Sequence, residues 1–184
     1  MQRSKANIHD SHKNYFLDLS RISSFDYLPT DQDILACRVR TTNPVIERYN
    51  INGVPFEVID VGGHQRERYR WARKNCEPDA VIFVAALSDY DQMLTKPVSK
   101  NRMKESLELY EAVVGEFGDL PIMLFLNKKD IFREKIEYSD IVSHFDDFAG
   151  RPRDRNHGVA YFLHKFQREF HKHKSRTEEF PHHV

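Results

Sequence analysis

Cysteine is almost absent: Cys37 and Cys76 are the only two in 184 residues, they lack C-x-x-C spacing, and no apolar secretory segment precedes them. A disulfide framework is thereby excluded, and a reducing cytosol fits better than export. No run approaches the ~20 apolar residues of a membrane span. The opening Met1-Gln2-Arg3-Ser4 lacks the Met-Gly start that myristoylation requires, so no lipid anchor is expected in this chain. Charge of one sign is missing as well, since 28 Lys and Arg stand against 28 Asp and Glu. A general attraction to nucleic acid or to an anionic membrane is therefore not the source of function. There is no internal repeat or low-complexity tract. The length suits one domain with a sizeable core and is short for two. Function has to come from local sites.

The order of elements is legible from periodicity. Residues 1 to 14 are polar and read as a frayed lead-in, after which Tyr15, Phe16, Leu19 and Ile22 recur at helical spacing. Thr30 followed three residues later by Asp33 predicts an N-terminal cap and a short helix through Ala36. Val45 to Ile51 and Val54 to Asp60 are alternating runs separated by Asn52-Gly53, the pair that best tolerates the two positive-φ positions of a type I′ hairpin. The unbroken apolar runs at 80 to 87 and 121 to 127 predict strands of a largely parallel sheet, buried on both faces. Between them Met103, Leu107, Tyr110, Val114 and Phe117 line one helix face, and Val159, Phe162, Leu163, Phe166 and Phe170 line a later one. The reading is hairpin, helix, strand, helix, strand, loop, helix, an α/β layered fold.

Ligands of open α/β sheets sit outside the carboxyl ends of the strands, and three constellations fall there or nearby. Asp60-Val61-Gly62-Gly63 ends the second hairpin strand. Its carboxylate can hold a metal-bound water, and two residues without Cβ let amide N–H groups approach an anion. A tight strand-to-helix turn would explain the glycines equally well. Asn127-Lys128-Lys129-Asp130 ends the later strand. Asp130 can accept paired N–H donors from a guanine edge, the Asn127 amide can reach N7 and O6, and the Lys128 stem can lie along the base. Alone it is also a solvated loop. Arg38-Val39-Arg40-Thr41-Thr42 precedes the hairpin. Thr41 can ligate Mg²⁺ and an arginine here can neutralise a transferring phosphoryl group, although a basic surface stretch is the default.

Taken together, "YLPTDQDILACRVRTT", "DVGGHQRERYRW", "ALSDYDQ", "NRMKES" and "LFLNKKD" resemble the α subunit of a heterotrimeric G protein, from about Tyr15 to His183. The resemblance implies a Ras-like layered sheet that binds GTP or GDP with Mg²⁺, with residues 1–36 as a tail plus the last helices of an inserted helical domain and residues 37–184 as a partial GTPase domain. It implies that Leu35, Arg38, Thr41, Asp60, Gly62, Gly63, Asn127, Lys128 and Asp130 contact nucleotide, with Thr41 and Asp60 serving Mg²⁺, the latter through water. Arg38 becomes a built-in arginine finger, and the residue after Gly63 orients the attacking water. Glu67, Arg68 and Trp71 fall on the switch II helix, where Arg68 pairs with Glu105 in the active state. Implied partners are a βγ dimer, effector enzymes, a G-protein-coupled receptor and GTPase-accelerating regulators, at the cytoplasmic face of the plasma membrane.

Three departures qualify that expectation. The water-orienting position carries His64 in place of glutamine, and a ring has a different reach and one acceptor nitrogen. Asn43 stands where a small glycine is usual. No glycine opens a G-x-x-x-x-G-K-[ST] loop, so the chain reads as an interior segment without the phosphate-wrapping loop, the first strand, or the last strand and helix. Two functions follow: a G-protein α subunit with impaired nucleotide binding and hydrolysis, or a non-catalytic module that binds βγ or effectors through switch II. His171 with His173, and His182 with His183, lack the i, i+4 spacing of helical metal pairs and are set aside.

Overall fold

The computed structural model describes residues 15–37, 43–62, 78–94 and 100–179. Their contacts divide into two compact units, one within Ser11–Glu77 and the other within Pro78–Val184.

In the first unit, a helical turn at 15–17 leads into α1 (Leu19–Ile22), and α2 spans Asp31–Ala36. The expected capping box is present: Thr30 Oγ1 accepts the Asp33 N–H at 3.3 Å, and Asp33 Oδ2 accepts the Thr30 N–H at 2.8 Å. Arg21 joins the two helices by donating to both Asp33 oxygens at 2.7 and 2.9 Å. That bond holds the Asp33 carboxyl well below the usual carboxylate range. Tyr15, Phe16 and Leu19 remain exposed, so their period marks a helix without a core of its own.

β1 (Val45–Ile51) and β2 (Val54–Asp60) form the expected antiparallel hairpin, with Val45 opposite Asp60 and Ile51 opposite Val54. Asn52 and Gly53 sit at φ of 53° and 84°, as a type I′ turn demands. Asn50 Oδ1 accepts the Gly53 N–H at 2.9 Å and closes the turn. The register places Val45, Tyr49, Ile51, Val54, Phe56 and Val58 on one face, each 46 to 54 % exposed.

The second unit is built on β3 (Val81–Ala86) and β4 (Ile122–Asn127), paired in parallel. Burial on both faces, expected from the apolar runs, is not found. Phe83 packs on Tyr110 of α3 (Arg102–Phe117) and Phe166 of α5 (Arg155–Glu179), with ring centroids 5.0 and 6.1 Å away. Both helices thus lie on the Phe83 side, and Ile82, Val84, Met123 and Phe125 on the other face stay 46 to 58 % exposed.

The sequence reading also placed a loop after β4 where the chain forms α4 (Lys129–Lys135). Its inward positions are Phe132 and Lys135, followed by Ile136. A buried lysine interrupts the apolar pattern, and seven residues are too few for a period to show. Lys135 Nζ donates to the Ser88 carbonyl at 2.8 Å and pairs with Asp91 at 2.5 Å, while Tyr90 donates to the Ser139 carbonyl at 2.6 Å. These bonds fix the 3₁₀ turn Leu87–Asp91 that follows β3. Tyr90, Phe132, Phe145 and Phe162 close the core beneath it through edge-on ring contacts. The helix expected after the hairpin lies outside the described residues.

Two sheets with one half-exposed apolar face each carry a consequence for the isolated polypeptide. It is expected to enhance ANS fluorescence and to unfold at low denaturant. A sharp thermal transition above about 55 °C without dye binding would show those faces to be covered.

Candidate functional site

Asn127 is the last residue of β4, opposite Ala86, and its side chain is exposed at the carboxyl end of the parallel pair. Its Oδ1 accepts the Lys128 N–H at 2.8 Å, which orients the amide and leaves Nδ2 pointing away from that bond. Lys128 has left-handed geometry, φ 55° and ψ 40°, a conformation that costs a non-glycine residue about 1–3 kcal/mol. It is held there because the next residues must enter α4 at once: the Lys128 carbonyl accepts the Phe132 N–H at 3.0 Å, and Phe132 is fully buried. The turn sets the exposed Asp130 carboxylate in the first turn of the helix. A strand end, a strained lysine and an exposed helix-start carboxylate thus bring Asn127, Lys128 and Asp130 into one short corner.

In the other unit, Asp60 closes β2 as an exposed carboxylate and Gly62 is buried two residues on. Leu35 lies within α2, and Cys37 is its exposed C-terminal cap. Arg38, Thr41, Gly63, His64, Glu67, Arg68 and Trp71 lie outside the described residues. The structure therefore gives positions to Leu35, Asp60, Gly62, Asn127, Lys128, Asp130 and Glu105 among the expected site residues.

Glu105 sits in the first turn of α3, below the cap formed by Asn101, whose Oδ1 accepts the Met103 and Lys104 N–H groups at 2.9 and 3.1 Å. Its carboxylate is in an ion pair with Lys100. The sequence reading missed Lys100. Because that lysine precedes the helix, neither i, i+3 nor i, i+4 spacing announces the pair.

Two clefts of about 340 and 420 Å³ lie elsewhere in this unit, between the 145–150 segment and α5 or α3. Neither is lined by Asn127, Lys128 or Asp130. Lys165 lines both, donating to Asp147 at 2.5 Å, and together with Tyr161 holds the Asp147 carboxyl below its usual range. Among the described residues no helix is long and apolar enough to cross a membrane, and no cluster of three His, Cys, Asp or Glu forms a metal centre.

The family model described as G-alpha, G-protein alpha subunit, matches residues 1–184. The chain belongs to the G-protein alpha subunit family. This alpha-subunit chain is similar to the guanine nucleotide-binding protein G(o) subunit alpha of Locusta migratoria, 40% identical over 174 residues, 94% of this chain and 48% of that protein. It is also similar to the alpha-7 subunits of Dictyostelium discoideum and Caenorhabditis elegans, each 38% identical, over 86% and 95% of this chain and 41% and 50% of those proteins. It thus spans about half the length of the curated relatives it matches. Membership carries the Ras-like GTPase fold, and the mixture of helices and a parallel strand pair agrees with part of such a domain.

Proposed function

We propose that this alpha-subunit chain recognises guanine nucleotide and signals through its switch segments. The corner formed by Asn127, Lys128 and Asp130 supports this reading most directly, because it exposes an amide and a carboxylate at a strand end on a strained, well-anchored turn. Asp130 receives the guanine N–H pair, Asn127 its N7 and O6 edge, and Lys128 the ring face. Leu35, Arg38, Gly62 and Gly63 line the remainder of the nucleotide. Asp60 is exposed and suits a water-mediated Mg²⁺ contact, with Thr41 as the direct ligand; the metal supplies charge neutralisation at the phosphates. Arg38 and His64 take the catalytic positions. Switch II, with Glu67, Arg68 and Trp71, signals through the pairing of Arg68 with Glu105. The partners are a βγ dimer, effector enzymes, GTPase-accelerating regulators and a G-protein-coupled receptor at the cytoplasmic membrane face.

A second reading is a module that binds βγ or effectors through switch II without turnover. One chimera separates the two. With the phosphate-binding loop and C-terminal segments of a relative joined to this chain, Asp130→Ala is expected to weaken GDP binding roughly 100-fold, the loss of about 3 kcal/mol in charge-assisted hydrogen bonds. Adenine nucleotide binding should not change. An equal loss for both nucleotides would remove the guanine assignment, and βγ binding by this chain indifferent to nucleotide would favour the module.

A further inference from the structure

Gly158 stands in the first turn of α5 and is buried. Glycine is the poorest helix former after proline, so its presence there needs a packing reason. An ideal Cβ at this position would lie 2.7 Å from Phe132 Cζ, 2.8 Å from Ile141 Cδ1 and 3.2 Å from Ile136 Cδ1. The isoleucine contacts end in flexible methyl groups that a rotamer change moves aside. Phe132 cannot yield in that way: its ring is rigid, fully buried, and flanked edge-on by Tyr90 and Phe162 at 5.5 and 6.3 Å. Nor is the helix start free to retreat. The Gly158 N–H donates to the Asp154 carbonyl at 3.0 Å, and Asp154 Oδ1 accepts the Asn156 and His157 N–H groups at 2.9 and 3.0 Å. A methyl group at 158 therefore acts on the Phe132 ring and, through it, on α4.

We propose that Gly158 is a positioning residue for the corner of Asn127, Lys128 and Asp130, because the space left by its missing Cβ is what seats Phe132. The inference rests on the guanine reading of the proposed function. α4 is seven residues long, and Phe132 is one of its two buried positions. The Phe132 N–H also closes onto the Lys128 carbonyl. Asp130 lies between those two residues, so a withdrawn ring carries the carboxylate with it. Asn127 does not follow, since β4 pairs it opposite Ala86. The mismatch falls on Lys128, at a left-handed φ of 55° that few non-glycine residues hold. A guanine edge reads the relative placement of amide and carboxylate, so the packing under the first turn of α5 sets base recognition.

In the full 184-residue chain, the NMR amide resonances of Asn127, Lys128 and Asp130 read the corner directly. Gly158→Ala should shift those of Lys128 and Asp130, and Phe132→Leu, which loosens the same seat without crowding it, should shift them too. Combining the two substitutions makes room for the methyl group and should bring both resonances back toward their wild-type positions. Gly115→Ala in α3, where nothing lies within 4 Å of an added Cβ, is the control for helix propensity and should leave the corner unchanged. Millimolar GDP should displace the wild-type Asn127 and Asp130 resonances more than ADP does, and Gly158→Ala should remove about half or more of that displacement, as misaligned hydrogen bonds weaken steeply. If both single variants leave the three resonances in place, or move them without reducing the GDP response, the positioning role is overturned and the guanine reading stands. If the wild-type resonances respond alike to GDP and ADP, or to neither, the guanine reading fails and the positioning role falls with it.

Discussion

A polypeptide of these 184 residues is expected to bind GTPγS no more tightly than about 1 mM, roughly 4 kcal/mol of binding free energy. In the proposed function the base-reading corner adds a pair of charge-assisted hydrogen bonds accepted by Asp130, each worth about 1.5–3 kcal/mol, and weaker neutral ones from the Asn127 amide. Against them stands the cost of association, estimated at 4–15 kcal/mol. Tight nucleotide binding needs the phosphates, and these carry most of the ligand's charge. A phosphate chain is normally cradled by consecutive backbone N–H groups of a glycine-rich loop at a helix N-terminus, with a lysine alongside. No such loop occurs in the sequence, where Gly62 and Gly63 offer one close approach and Arg38 one side chain. Titration with a fluorescent guanine nucleotide, with and without magnesium, measures the affinity directly. Magnesium-dependent binding in the micromolar range would show that other amides of this chain take over the work of the missing loop.

The features that could be read in advance are those decided by neighbours in sequence. Asn52-Gly53 fixed the hairpin register, because few other pairs tolerate two positive φ values in succession. Thr30 and Asp33 marked the start of α2, because a capping box is a contact between residues three apart. Asn127 was placed at the ligand edge of the sheet, because the apolar run ends there. What escaped depends on tertiary neighbours. Ile82, Val84, Met123 and Phe125 look like core residues in the chain, yet α3 and α5 share the opposite face. α4 is hidden in the sequence because its inward position Lys135 is a charge, and the groups that pair with it include Asp91 and the Ser88 carbonyl, both more than forty residues earlier in the chain. The left-handed turn at Lys128 was equally hidden, since its cause is the burial of Phe132. The ion pair of Lys100 with Glu105 is hidden as well, because the contact passes over the helix cap and follows no helical spacing.

In the grafted chimera, Arg38→Ala is expected to slow single-turnover GTP hydrolysis about a thousandfold, and His64→Gln to accelerate it about tenfold, with little change in nucleotide affinity for either. The first magnitude is carried over, since G-protein alpha subunits are themselves a standard example of an arginine finger supplied from within the chain. Its physical basis is charge: a guanidinium fixed beside the transferring phosphoryl group meets negative charge that grows only in the transition state, so its removal costs rate and leaves ground-state binding nearly intact. In the proposed function His64 acts on the other reactant, the water. A neutral imidazole can accept one hydrogen bond at one nitrogen and donate at the other, on opposite sides of a rigid ring. A glutamine amide presents its acceptor and donors from the same end, and can hold the water while donating to a phosphoryl oxygen. Histidine in this position should therefore position water less well, and restoring glutamine should raise the rate without tightening binding. The two substitutions act on different partners of one reaction, so their effects should be close to independent in the double variant. A rate that stays unchanged or falls on His64→Gln would mean that imidazole already positions the water competently here. The slow step would then have to be sought in Arg38 or in the grafted loop.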